Sequence, residues 1–437
     1  MILSILSNFL IIKEEWDIVD LRIDIPDLGP GSDAINRHTQ YSNPVATVTK
    51  SKIEGIGAGF TLGLGNNLIC SAIEDILELW DGLTLNDIAN KNFTNVYNIL
   101  ANPHQIRWLS PNAGVNYQAV GVIVNTIIDW ICKDQNMPAW QMFTKVTKSE
   151  FNEFYSSPIN LSHVMKSKDY IFNQINGDYN TRELSISAYH TTWIGSSADE
   201  LSEEIIAVNQ EKGINLFKLK IGKNPDLFIN KINELKHLLP DSIKLCTDAN
   251  QTMDLSSAKK FISMADELGI IWLEEPFAPD NIDAFKKLLE YRDSKNLQIE
   301  IVSGENCPSP HIAAALMELG IHRFQADPCR MMGFIDIVLI SQLGRFFNVP
   351  ITPHAGGSCL DELSLHISFY DQIQNNFNIE DALIENVGFC SQFMRYPSIV
   401  KNGKIQPPIE PGFLVGFNKD IISKFKNYKE GITWLKL

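Results

Sequence analysis

Three acidic residues, each closing a strand-like apolar run, constrain this chain more than any other feature: Asp248 in KLCTDAN, Glu274 in IIWLEEP and Glu305 in IEIVSGEN. They stand 26 and 31 residues apart, close to the roughly 30 or more that a strand plus its crossover helix occupies. The series extends both ways. Lys220 closes LFKLK 28 residues before Asp248, Asp327 closes HRFQAD 22 residues after Glu305, His354 closes VPITPH 27 residues further on, and Glu385 stands in ALIEN 31 residues beyond that. A chain that sets a polar side chain at the C-terminal end of seven successive strands builds an α/β barrel with its active site at that face. Three carboxylates converging there offer oxygen donors suited to a hard divalent cation, most simply Mg²⁺.

The length of 437 residues suits two domains, since one small core would not occupy it. A net charge of −15 leaves no basic surplus, which argues against nucleic acid as a partner. Positive charge for an anionic substrate must then be local, from a metal or a few lysines. The cysteines (Cys70, Cys132, Cys246, Cys307, Cys329, Cys359 and Cys390) form no C-x-x-C pair and read as reduced core thiols of a cytoplasmic protein. The opening MILSILSNFLII is shorter than the ~20 residues a spanning helix needs and lacks the flanks of a signal peptide. No membrane partner is therefore expected, and residues 1–16 read as an extension, either an extra strand or sequence upstream of the true start.

The first third alternates differently from the rest. Asp17 to Ile25 and Val45 to Ile53 switch between apolar and polar residues, as an antiparallel pair of half-buried strands does. Helical stretches follow around 68–80, 86–100 and 115–133, the α+β order of strands then helices. From about residue 145 strands and helices alternate, with helices predicted over 226–239, 254–268, 282–291, 311–319, 333–347 and 358–370 between the motif strands. Asp254 and Ser358 are suitable N-caps. The expected division is a capping domain over 1–144, a barrel over 145–410, and a segment over 411–437 that packs back on the cap.

Lys218 and Lys220 stand two apart in FKLKIG and so share one face of their strand. Two neighbouring cations disfavour each other's protonation, which brings a lysine toward use as a base near neutral pH. His354 lies between Pro353 and Ala-Gly-Gly, so glycines leave room beside the ring. Asp327, one unit earlier, is placed to accept a ring N–H, fix the tautomer and raise the histidine's pKa. Glu275 alternates to the other side of its strand and reads as structural, while Asn250 and Asn306 fall near the rim. The run GIGAGFTLGLG at 55–65 fails the dinucleotide-binding spacing and follows an antiparallel strand. A mobile loop over a substrate is the expected use of those glycines.

FKLKIG, CTDANQ, WLEEP, SGE, QAD and PHAGG, in this order, resemble the mandelate racemase branch of the enolase superfamily, from about residue 17 to the C-terminus. Within it, SDA at 32–34, GFTLG at 59–63, QIRWLSP at 105–111 and TTWIG at 191–195 are most similar to L-fuconate dehydratases. The resemblance implies a modified TIM barrel, (β/α)7β, with an N-terminal α+β capping domain. It also implies one Mg²⁺ held by Asp248, Glu274 and Glu305, and abstraction of the proton α to a carboxylate. In that scheme Lys220 takes the C2 proton of an anionic acid sugar and Lys218 neutralises its carboxylate. His354, kept protonated by Asp327, serves the departing 3-hydroxyl. Glu385, Asn250 and Trp193 complete the substrate side, the product is a 2-keto-3-deoxy acid sugar, and a homo-oligomer is expected.

The chain departs from the family at the rim. NCPSPH follows SGE where a Gln or His and an Asn-Arg pair are usual, NVGFCSQF replaces a His-rich stretch after Glu385, and Leu64 stands where a basic residue is common. A dehydratase or epimerase for a related acid sugar, and a non-catalytic sugar-acid sensor, are the alternatives.

Overall fold

In the computed structural model, residues 1–24, 40–102, 108–109, 113–155, 184–193, 197–222, 224–375, 382–387, 393–418 and 426–427 are described. The N-terminal apolar run is a helix, Ile2–Ser7, followed by β1 (Leu10–Ile11). Its Ile2, Leu3 and Leu6 are buried, which is what drives a short apolar segment onto the cap. The cap sheet is an antiparallel meander of β2 (Trp16–Asp24), β3 (Gln40–Lys50) and β4 (Ile53–Ala58). The strand expected over 45–53 thus begins earlier and turns sooner. Ser51 and Lys52 both take positive φ between the paired Lys50 and Ile53, the conformation that matches a two-residue hairpin to strand twist.

Helix Asn66–Trp80 comes next, and β5 (Leu83–Thr84) pairs antiparallel with β1. The helix expected over 86–100 is two helices, Leu85–Lys91 and Val96–Ala101. Phe93 takes positive φ between them, and the Asn95 side chain accepts from Asn98 N to cap the second, giving two local stop and start signals. Helix Gly114–Asp134 is long and apolar enough to cross a membrane, yet most of its most apolar stretch is buried inside this fold.

That helix accounts for the first two glycines of the 55–65 run, expected to lie in a mobile loop. Gly55 and Gly57 lie in β4 directly under it. A Cβ on Gly57 would stand 2.3 Å from Thr126 Oγ1 and 2.4 Å from the Val122 carbonyl oxygen. Gly57→Ala is therefore expected to lower thermal stability by about 1–3 kcal/mol, the usual cost of overpacking; an unchanged unfolding midpoint would contradict this close contact.

The C-terminal part is a curled sheet of parallel strands: β6 (Ile186–Trp193), β7 (Leu216–Lys220), β8 (Lys244–Asp248), β9 (Trp272–Glu274), β10 (Glu300–Ser303), β11 (Arg323–Phe324) and β12 (Leu383–Asn386). Their order is β11-β10-β9-β8-β7-β6-β12, so the last strand returns beside the first. Ile351 bridges Phe324 in parallel, and Thr352 N and His354 N donate to Phe324 and Ala326 carbonyls at 2.9 and 3.1 Å. Residues 351–354 thereby continue the sheet beyond β11. This is the modified TIM barrel, (β/α)7β, with its α+β cap. Each helix follows its strand close to the expected limits, for instance Leu255–Glu267 behind the capping box of Asp254 and Ser257.

Strand periodicity decides what fills the barrel. Tyr189, Cys246, Trp272 and Val302 form a separate buried cluster, with Tyr189 edge-on to Trp272 at 5.3 Å. Thr191, Asp248 and Glu274 stand two residues beyond Tyr189, Cys246 and Trp272, and so point inward one layer higher. Two closing strands tie the ends together: β13 (Lys404–Ile405) runs antiparallel on β6, and β14 (Lys426–Asn427) on β2. Phe413 N and Leu414 N donate to Asp129 Oδ1 of the long cap helix at 2.7 and 3.1 Å, which fixes the C-terminal segment against the cap.

Candidate active site

One oxygen from each of Asp248, Glu274 and Glu305 lies within 4.8 Å of the others, and all three residues are buried. Asp248 and Glu274 are the last residues of β8 and β9, while Glu305 sits two residues past β10. Glu274 Oε2 and Glu305 Oε2 have no hydrogen-bond partner among the described residues. Buried carboxylate oxygens without partners are costly, and three such hard donors side by side fit a divalent cation of the magnesium type. The acids also resist sharing the space. Burial, reinforced by Asp248, pushes the Glu274 carboxyl up to about 8.

Two lysines enter this cluster from β7. Lys220 Nζ forms an ion pair with Asp248 Oδ2 and lines the pocket above. Lys218 Nζ lies 2.8 Å from both Glu274 Oε1 and Glu385 Oε1 and is fully buried. It also sits 5.7 Å from the centroid of the Tyr189 ring, on the barrel plug. Lys218 does not line the pocket, and two protein carboxylates engage its ammonium. Lys218 does disfavour the Lys220 ammonium, as expected, but the net direction is the opposite. Burial does favour the neutral amine, but Asp248 beside Lys220, and Glu274 and Glu385 beside Lys218, outweigh it and raise both.

His354 Nδ1 is 2.9 Å from Asp327 Oδ2, whose other oxygen accepts from Cys329 N at 2.6 Å. Its Nε2 faces Glu305 Oε2 at 3.6 Å. Burial works against the imidazolium, yet Glu305 and Asp327 prevail and bring the ring up to about 9. A Cβ at Gly356 would come within 2.7 Å of Nε2, so the glycine is what keeps that edge of the ring open. Glu385 accepts from Thr191 Oγ1 and, at 2.9 Å, from Ala355 N. Despite burial, Lys218 and His354 hold its carboxyl well below the usual range.

The pocket is walled by Lys220, Glu305, His354 and Glu385 from the barrel, with Tyr41, Phe60 and Leu62 from the cap and Arg330 from the loop after β11. Asn250 is not on that wall. Its backbone N–H and side-chain amide hold the two Asp248 oxygens at 2.8 and 3.2 Å, with φ at +42°. Asn306 donates to Glu275 from backbone and side chain at 3.2 and 2.9 Å, so Glu275 braces the loop below the site. Trp193 pairs with Lys220 across β6 and β7, and its side chain lies outside the described residues. So do SDA at 32–34 and most of QIRWLSP. Tyr41 and Arg330 were not marked by the sequence reading. An arginine alone in the apolar stretch CRMMGF, three residues past Asp327, was the available signal for one of them.

The family described as enolase C-terminal domain-like matches residues 200–421, half of the chain. The chain belongs to the enolase superfamily. Among its superfamily relatives, human mitochondrial enolase superfamily member 1 is 26% identical over 431 residues, covering 96% of each chain. L-galactonate dehydratase of Hypocrea jecorina is 26% identical over 421 residues, covering 92% of each. The crystal structure of the human protein superposes with a TM-score of 0.86 at 24% identity, covering 98% of both chains. L-talarate/galactarate dehydratase of Salmonella typhimurium, liganded with Mg and L-lyxarohydroxamate, gives 0.71 at 18% identity over 94% of this chain and 92% of that one.

Proposed function

We propose that this protein is a Mg²⁺-dependent acid-sugar dehydratase, with L-fuconate as the first substrate to test. The observation that carries the reading is one pocket lined by both Lys220 and an Asp327-oriented His354, above a cluster of three buried carboxylates. Relatives named L-galactonate dehydratase and L-talarate/galactarate dehydratase support the acid-sugar class; the GFTLG and TTWIG resemblances support L-fuconate.

Asp248, Glu274 and Glu305 would hold the cation. When bound, it supplies positive charge beside the developing enediolate and competes with Lys220 for Asp248, lowering the lysine's hold on a proton. Lys220 Nζ takes the C2 proton, and the C2–H electron pair passes into the substrate carboxylate. The pair returns to form the C2–C3 double bond as the C3–O bond breaks, and His354 Nε2 gives the leaving hydroxyl its proton. Asp327 keeps Nδ1 protonated so that Nε2 is the donor, and Glu385, on the same pocket wall, steadies a substrate hydroxyl. The enol then becomes the 2-keto-3-deoxy acid. Lys218, held between Glu274 and Glu385, positions those two carboxylates.

Incubation with L-fuconate, L-galactonate, L-rhamnonate and galactarate in D₂O with Mg²⁺, followed by NMR, tests the reading. A 2-keto-3-deoxy product from one of them is expected. Deuterium entering at C2 with no keto product would replace it with an epimerase, and an inert, Mg²⁺-binding protein would point to a sensor.

A further inference from the structure

We propose that Arg330 reads the distal hydroxyls of a monocarboxylate acid sugar and so sets the substrate preference of this site; this deepens, and rests on, the dehydratase reading. Arg330 shares the pocket wall with Lys220, Glu305, His354 and Glu385. Its Nε is buried and has no hydrogen-bond partner among the described residues. Asp327 Oδ2 is 3.9 Å away, beyond hydrogen-bond reach, and already engages His354. The other cations of the wall each have a carboxylate: Lys220 has Asp248 and His354 has Asp327. A buried donor without an acceptor is costly to leave so, and Arg330 lines the pocket.

The loop that carries Arg330 is pinned rather than free. Cys329 N and Arg330 N donate to Asp327 Oδ1 and O at 2.6 and 3.3 Å, and Cys329 Sγ rests 3.6 Å from the Ala58 carbonyl of the cap. Phe60 and Leu62 of the cap join the same wall. The reacting carboxylate end of a substrate belongs at the strand tips with Lys220 and the acid cluster, so the guanidinium at the cap seam faces the other end. On the L-fuconate reading that end of the substrate carries hydroxyls, and the Arg330 Nε, without a hydrogen-bond partner among the described residues, offers them a donor.

The test compares kcat/KM for C2 exchange on L-fuconate with that on a four-carbon aldonate of matching C2 and C3 configuration, for the wild type, Arg330→Met and Arg330→Lys. Arg330→Met is expected to lower kcat/KM on L-fuconate about 10–100-fold more than on the short analogue, the size of one hydrogen bond to a charged group, and Arg330→Lys to recover part of it. Unfolding midpoints check that each variant is folded. Equal losses on both chains would mean that Arg330 acts through Asp327 and His354, and a loss confined to galactarate would mean a second carboxylate; either overturns the assignment. If the wild type turns over no acid sugar, the dehydratase reading fails by itself. Arg330 is then judged by calorimetric binding of L-fuconate with Mg²⁺, where equal affinity of wild type and Arg330→Met overturns it.

Discussion

Replacing Lys220 by alanine is expected to abolish exchange of the substrate's C2 proton, a loss of about 10²–10⁴-fold or more. The other groups on the pocket wall are poor bases. Glu385 is tied to Lys218, Thr191 and Ala355 N and held strongly acidic, and His354 is held protonated by Glu305 and Asp327. Among the described residues Lys220 stands on the wall paired only with Asp248, and a cation held by Asp248 would release its amine to take a proton. Because the ammonium also neutralises Asp248, Lys220→Arg is the informative control: it keeps that charge and is still expected to lose exchange, since a guanidinium does not give up its proton. Full exchange in either variant, followed by NMR in D₂O, would remove Lys220 as the base.

Stripping divalent cations with a chelator is expected to stop turnover and to lower the unfolding midpoint, with both restored by Mg²⁺. The physical ground is the packing of Asp248, Glu274 and Glu305 against one another, with Glu274 Oε2 and Glu305 Oε2 lacking a hydrogen-bond partner among the described residues. A ligand that binds only the folded state stabilises it by about 2.7 kcal/mol at 100 times its dissociation constant. Asp248→Asn and Glu305→Gln should each blunt the Mg²⁺-dependent rise in midpoint. Midpoints indifferent to Mg²⁺ in the wild type, together with chelator-resistant turnover, would contradict the assignment of the cluster.

Much of the barrel was legible because each β/α unit ends its strand on one polar residue, and strand periodicity then carries Asp248 and Glu274 to the same side as the Cys246 and Trp272 plug. His354 and Asp327 were legible for the same reason. What was hidden depends on partners far away in sequence. Lys218 is engaged by Glu274 and Glu385, so FKLKIG by itself shows two neighbouring cations and not the carboxylates that raise both. Gly55 and Gly57 looked like loop residues until helix Gly114–Asp134 lay across them. Arg330 gave only a single basic letter in an apolar run, and its meaning rests on which carboxylates lie near it and are already taken.

The division of labour between Lys220 and His354 is tested most directly by His354→Asn, assayed in D₂O with Mg²⁺ for C2 exchange and 2-keto product on the best acid sugar. The account predicts that exchange at C2 persists while product formation falls by about 10²–10⁴-fold, because the base remains and the acid for the leaving hydroxyl is gone. Loss of exchange together with product, in a folded variant that still binds Mg²⁺, would contradict it.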